Sequence, residues 1–184
     1  LIDAKARVLE YIEDKREEEV RFLQKLISIQ SESGCEKEIQ DFVSDALIKM
    51  GMSVDMWEPD IDELRKSPGY VPVCQGYSNR PNVVGKYRGI GGGKSLILNG
   101  HVDVIPSGPT DLWTHNPWAG EVDEGKVYGR GASDMKGGLA TMTFALKAII
   151  DSGARLRGDV LAEYTVDEEL SGNGTLSCIL RGYR

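Results

Sequence analysis

The sequence is poor in several residues and patterns that would commit a chain to particular functions. Three cysteines, Cys35, Cys74 and Cys178, lie far apart with no CxxC pair. That spacing argues against a disulfide framework and a cysteine metal site, and it implies reduced thiols in a cytoplasmic protein. No apolar run approaches the roughly 20 residues of a membrane span. The opening "LIDAKARVLEYIEDKREEEV" is charged and helix-like, unlike a signal peptide. Lys and Arg number 22 against 29 Asp and Glu, a net charge of −7, so the basic patch that nucleic acid needs is lacking. There is no internal repeat and no low-complexity segment. Histidine is the scarcest chemical resource: the 184 residues hold only His101 and His115.

What is present reads as alternating strands and helices. Residues 3–29 predict one long helix with Val8, Ile12, Val20, Leu23, Leu26 and Ile27 facing inward. Ser33 is placed to cap a second helix that carries Ile39, Phe42, Val43 and Leu47 and stops at Gly51. "MSVDMWE" alternates as a strand does, and residues 58–81 read as a long surface loop. "PNVVGKYRG" and "KSLILNG" predict strands joined through "GIGGGK". That turn lacks the GxxxxGK[ST] spacing of a phosphate loop and reads as a flexible hairpin turn. "GEVDEGKVYGRG" predicts a short hairpin. A helix runs from near Asp134 to Gly153, "GDVLAEYTV" is an apolar strand, and "GNGTLSCILRG" opens a last helix. The pattern predicts an α/β fold with a largely parallel, mixed sheet flanked by helices.

Three polar clusters fall at strand ends in this map. His101 and Asp103 follow the strand at 95–100, Asp134 follows the strand at 126–129, and Asp167, Glu168 and Glu169 follow the strand at 158–166. Ligands in open α/β sheets bind beyond the carboxyl ends of strands, so these clusters can converge. Imidazole with carboxylates suits Zn²⁺, Co²⁺ or Mn²⁺. Asp103, two residues after His101 in an extended segment, is placed to hold the second ring nitrogen. Taken singly, each residue also has a structural reading. His101 fits a hydrogen-bonded core histidine, Asp134 a helix cap, and the acidic triplet a favourable helix dipole. His115, in "WTHNPW", reads as a loop residue.

"GHVDVIPSG", "YGRGASDMKGG" and "TVDEELSGNGT" resemble the signatures of a metallopeptidase and deacylase family. That family includes acetylornithine deacetylase, succinyl-diaminopimelate desuccinylase, aminoacylase and carboxypeptidase G. The segment "WTHNPWAGEVDEGKVYGRG" is similar as well, and the likeness runs from about residue 10 onward. It implies a zinc-peptidase-like catalytic domain, truncated here to its N-terminal portion across residues 1–184. The remaining catalytic portion and a lid or dimerisation domain are expected downstream. By this resemblance His101 and Glu169 are ligands of two divalent metal ions, Asp134 bridges them, Glu168 is the general base and Asp103 the orienting aspartate. Asp167 has no family role and is expected to cap the following helix. Two further ligands, a carboxylate and a histidine, are expected beyond Arg184, so the segment alone is expected to be inactive. "LSGNG" stands where the family more often has a double glycine. The implied activity is hydrolysis of an N-acyl amino acid or small peptide by a homodimeric parent that binds neither nucleic acid nor membrane. The alternative is a non-catalytic binding module that keeps the fold.

Overall fold

A computed structural model describes residues 3–183. The N-terminal helix is broken in two, α1 (Ala4–Asp14) and α2 (Arg16–Ser28), with Lys15 outside helical geometry. The break falls inside seven consecutive charged residues, Glu13 to Glu19, which offer no apolar contact to hold one straight rod. Each half packs separately. Tyr11 of α1 donates to Asp151 at 2.6 Å, and α2 buries Leu26 and Ile27.

Helix α3 (Lys37–Lys49) buries Ile39, Val43 and Leu47 at helical spacing and ends at Gly51, whose φ of 78° suits glycine. Ser33 does not cap it. Its hydroxyl donates instead to Asp103. Strand β1 (Ser53–Trp57) leads into residues 58–81, which do more than cross the surface. They hold a short helix, α4 (Ile61–Leu64), capped by the Asp60 side chain, and they bury Leu64, Tyr77 and Arg80.

Strands β2 (Asn82–Tyr87), β3 (Leu96–His101) and β6 (Val160–Thr165) complete a mixed sheet of order β1-β2-β6-β3. Strands β2 and β3 are therefore not a hairpin, because β6 lies between them. Only β3–β6 is parallel, and the β1–β2 and β2–β6 pairs are antiparallel. The expected parallel character is thus confined to the pair that carries the polar clusters. The glycine-rich turn has a packing reason: a Cβ on Gly89 would lie 2.4 Å from the Gly158 carbonyl oxygen. It brings backbone against backbone just before β6 and fixes Ile90 N–H on Leu156 O at 2.9 Å.

Register sorts the two sheet faces. Val83 pairs with Tyr164, and Tyr164 with Gly100, so all three share one face. On that face Tyr164 meets Thr143 of α5 (Gly137–Asp151), and Gly100 faces Leu139. Leu47 of α3 lies against Gly85 of the same face. The opposite face carries Asn82, which bonds Gly174 of α6 (Asn173–Arg181). Each fully buried Leu or Ile in this core contributes about 1.5–3 kcal/mol from burial. A separate hairpin, β4 (Glu121–Asp123) with β5 (Lys126–Tyr128), precedes α5. Among the described residues no helix is long and apolar enough to cross a membrane.

Candidate metal centre

In the parallel register His101 of β3 stands opposite Thr165 of β6. The segments leaving the two strands start side by side, and their polar groups gather at that end of the sheet. His101 is only 4% exposed. Its Nδ1–H donates to the backbone carbonyl of Asp103 at 2.9 Å, while the Asp103 carboxylate stands at 3.6 Å. The carbonyl, rather than the expected carboxylate, makes the close contact. Nε2 faces outward, 3.1 Å from Asp134 and 3.6 Å from Glu168.

The Asp103 carboxylate works on the neighbouring loop. Fully buried, it accepts the backbone N–H groups of Glu168 at 3.1 Å and Glu169 at 3.2 Å, and the Ser33 hydroxyl at 3.0 Å. One side chain thus ties the end of β3 to the acidic pair after β6.

Asp134 arrives from outside the main sheet. It lies in an irregular turn, Ala132–Lys136, after the β4–β5 hairpin, and α5 begins only at Gly137. The Asp134–Met135 peptide is cis. Asp134 has extended dihedrals and makes no capping bond, so the helix-cap reading does not apply. The turn is anchored by Lys136, whose buried ammonium donates to Leu26 O and Ile29 O at 2.8 Å each. Burial pulls the Lys136 ammonium down to about 7, and the two carbonyls at the C-terminal end of α2 work in the opposite direction.

His101, Asp134 and Glu169 each present one ligand atom, all within 4.8 Å of one another. One imidazole nitrogen and two carboxylates form a borderline-to-hard donor set that fits a divalent cation such as zinc, cobalt or manganese. The ring is also correctly prepared: with Nδ1–H held by a carbonyl, the Nε2 lone pair faces the cluster. Without a cation these groups perturb one another. Burial opposes charge on His101, but Asp103 and Asp134 outweigh it and push the imidazole up to about 9. Burial and the neighbouring carboxylates raise Glu169. Asp103 is lowered, because the contacts from His101 and the two backbone N–H groups overcome its burial.

Two predicted residues lie elsewhere or act differently. His115 stacks on Tyr128 with ring centroids 4.0 Å apart and pairs with Glu121 at 3.1 Å, beside the β4–β5 hairpin and outside the cluster. Asp167 does not cap α6. Its carboxylate points inward to Arg80 at 3.1 Å and Tyr77 at 2.7 Å. Arg80, Tyr77, Glu36 and Asn82 all pack beneath the acidic loop and were not singled out from sequence. The available signal was weak: "RPNVVG" puts one arginine and one asparagine at the mouth of an apolar strand.

The profile of Peptidase family M20/M25/M40 matches residues 97–182. N-formyl-4-amino-5-aminomethyl-2-methylpyrimidine deformylase of Bacillus subtilis is 35% identical over 177 residues, 94% of this chain and 38% of its own length. Succinyl-diaminopimelate desuccinylase of Methylorubrum extorquens is 39% identical over 141 residues, 75% of this chain and 32% of its own length. In fold, human carnosine dipeptidase 1 superposes with a TM-score of 0.77 at 22% identity, over 90% of this chain and 35% of that one. The dipeptidase Dug1p of Saccharomyces cerevisiae gives 0.75 at 23% identity, over 94% and 36%. The chain thus spans well under half the length of these relatives.

Proposed function

The chain belongs to Peptidase family M20/M25/M40, and from that premise we propose that it forms part of a dimetal amidohydrolase. The substrate class is a small N-acylated amine: an N-acyl amino acid, a short peptide or a formamide. The observation that carries this reading is the convergence of the His101, Asp134 and Glu169 ligand atoms within 4.8 Å. The identities to a deformylase and a desuccinylase support the amide chemistry.

Bound divalent cations would lower the pKa of a shared water and polarise the amide carbonyl. His101, Asp134 and Glu169 would hold the ions. The chain's own groups supply the rest. His101 is held in one tautomer by the Asp103 carbonyl. Glu168 keeps its carboxylate 54% exposed at the rim, 3.6 Å from His101 Nε2. There it takes a proton from the attacking water and returns it to the departing amine. Asp103 fixes the backbone on both sides of that base. Zinc, cobalt and manganese all suit the donors. The parent would be a homodimer, and its unpaired Cys35, Cys74 and Cys178 support a cytoplasmic location.

The test uses the polypeptide of relative length that carries this segment, loaded with zinc or cobalt. A panel of N-formyl, N-acetyl and N-succinyl amines and dipeptides is assayed for amine release. Turnover abolished by chelation is expected. Glu168→Gln should cut kcat by about 10²–10⁴-fold while metal stays bound. Full activity in Glu168→Gln, or no hydrolysis of any amide by the loaded protein, would overturn the proposal.

A further inference from the structure

Beneath the acidic loop lies an ionic network that the metal chemistry does not use. Arg80, 2% exposed, places Nη2 2.6 Å from Glu36 Oε1 and 3.1 Å from Asp167 Oδ1, and its Nε also donates to Glu36 at 2.9 Å. Glu36 and Asp167 are both fully buried. Asp167 accepts further bonds from the Tyr77 hydroxyl, at 2.7 Å, and from Ser171. Glu36 accepts from Gly34 N–H at 3.0 Å. Asn82, two residues after Arg80, holds both ends of the same loop. Its Oδ1 accepts from Val166 N–H at 3.0 Å, and its Nδ2 donates to Gly174 O at 2.7 Å.

We propose that Arg80, bracketed by Glu36 and Asp167, is a positioning residue that fixes the backbone from which Glu168 and Glu169 project into the metal site. The inference rests on the metal-site reading above and deepens it. Three facts converge. First, Asp167 immediately precedes the acidic pair and has a φ of +66°, a left-handed conformation uncommon outside glycine, asparagine and aspartate. Second, its side-chain partners are Arg80, Tyr77 and Ser171, none of them in the His101, Asp134 and Glu169 cluster, so it can hold the loop without competing for a cation. Third, the opposite side of the loop is held by Asp103 through the Glu168 and Glu169 N–H groups. The loop is therefore gripped from both sides, and on the Arg80 side the grip is a guanidinium between two buried carboxylates. A guanidinium suits this place because its planar fork reaches two carboxylates at once, which an ammonium does not.

The effect on chemistry follows from geometry. Site residues must be held closely to a productive arrangement, and outer partners of metal ligands typically carry about a 10–100-fold share of affinity. Loss of the Arg80 contacts leaves Asp167 free to abandon φ +66°, which rotates the peptide planes that present Glu168 and Glu169.

The experiment compares wild type, Arg80→Met, Arg80→Lys, Tyr77→Phe and Leu47→Ala. Leu47→Ala is a core truncation on α3, away from the loop, and supplies a stability control. Two readouts are taken where each protein is folded: zinc affinity by competition with a chromophoric chelator, and native-state hydrogen exchange of the Glu168 and Glu169 amides. In Arg80→Met zinc affinity should fall at least tenfold, and exchange at residues 168 and 169 should quicken more than at Ala162 in β6. Arg80→Lys should recover part of both. Leu47→Ala, although less stable, should keep zinc affinity within about twofold. Folded Arg80→Met with wild-type zinc affinity and unchanged exchange at 168 and 169 would overturn the inference alone. Should Arg80→Met not fold, Tyr77→Phe decides: faster exchange at 168 and 169 supports the inference, and an unchanged rate overturns it. A wild-type chain that binds no zinc overturns the metal-site reading and this inference with it.

Discussion

Replacing Gly174 by alanine isolates the joint between β6 and α6 that carries the acidic pair. Gly174 is the second residue of α6, and a Cβ there would lie 2.0 Å from Val166 O and 2.9 Å from Val166 N. Both atoms are backbone and cannot rotate away. The helix must retreat by roughly 1 Å or more to reach van der Waals separation. Overpacking of this kind costs about 1–3 kcal/mol. The retreat also strains the 2.7 Å bond from Asn82 to Gly174 O, worth about 1 kcal/mol. Alanine's better helix propensity offsets at most about 1 kcal/mol, which leaves a net loss of roughly 1–3 kcal/mol. Urea unfolding should therefore show a lower midpoint with an unchanged slope. Gly69→Ala is the matched control: its Cβ would meet Leu176 at an ordinary 3.6 Å, so it should stay within about 0.5 kcal/mol of wild type. A Gly174→Ala protein as stable as Gly69→Ala would refute the close packing of α6 on the end of β6.

The metal-free protein should also show two opposite pH trends. His101 is raised from 6.5 to about 9, so its stabilisation is complete below pH 6.5 and is lost as pH rises through 9. At about 1.4 kcal/mol per pKa unit the loss is at most ~3.5 kcal/mol. Measured in chelator, the stability advantage of wild type over His101→Gln should shrink between pH 6 and 10, and a flat difference would contradict it. Lys136 is lowered to about 7, so wild type should gain on Lys136→Met as pH rises from 7 to 10.5. A declining difference there would show that the two α2 carbonyls dominate its titration. Tyr164→Phe removes the buried 2.6 Å contact with Thr143 and should cost about 1 kcal/mol by urea unfolding; no loss would show that this hydrogen bond contributes nothing net.

Local chemistry was legible in the sequence where periodicity and spacing carry it. The apolar spacing of Ile39, Val43 and Leu47 located α3, and the run before Asp167 located β6. His101, Asp134, Glu168 and Glu169 stood out as polar residues at strand ends, and the structure brings them together. Sheet order was not legible. That β6 separates β2 from β3 depends on pairing between residues 64–81 apart, which no local pattern encodes. The break at Lys15 was hidden because a charged heptad has helical propensity but no packing to keep it straight. Arg80 and Glu36 were missed, and Asp167 was given a capping role it does not have, for a related reason. Charged residues in or beside loops read as solvated, and their burial is tolerable only because all three meet one another in the fold. Asp103 was legible by position, but its carboxylate serves the Glu168 and Glu169 amides that lie 65 and 66 residues away.

Anomalous diffraction at the zinc edge, from crystals of the chain grown with zinc, tests the central claim most directly. The account predicts a peak bounded by His101 Nε2, Asp134 and Glu169, with ligand distances of about 2.0–2.2 Å and His101 Nδ1 still held on the Asp103 carbonyl. A peak at His115 and Glu121 instead, or none while His101 stays hydrogen-bonded to Asp134, would contradict it.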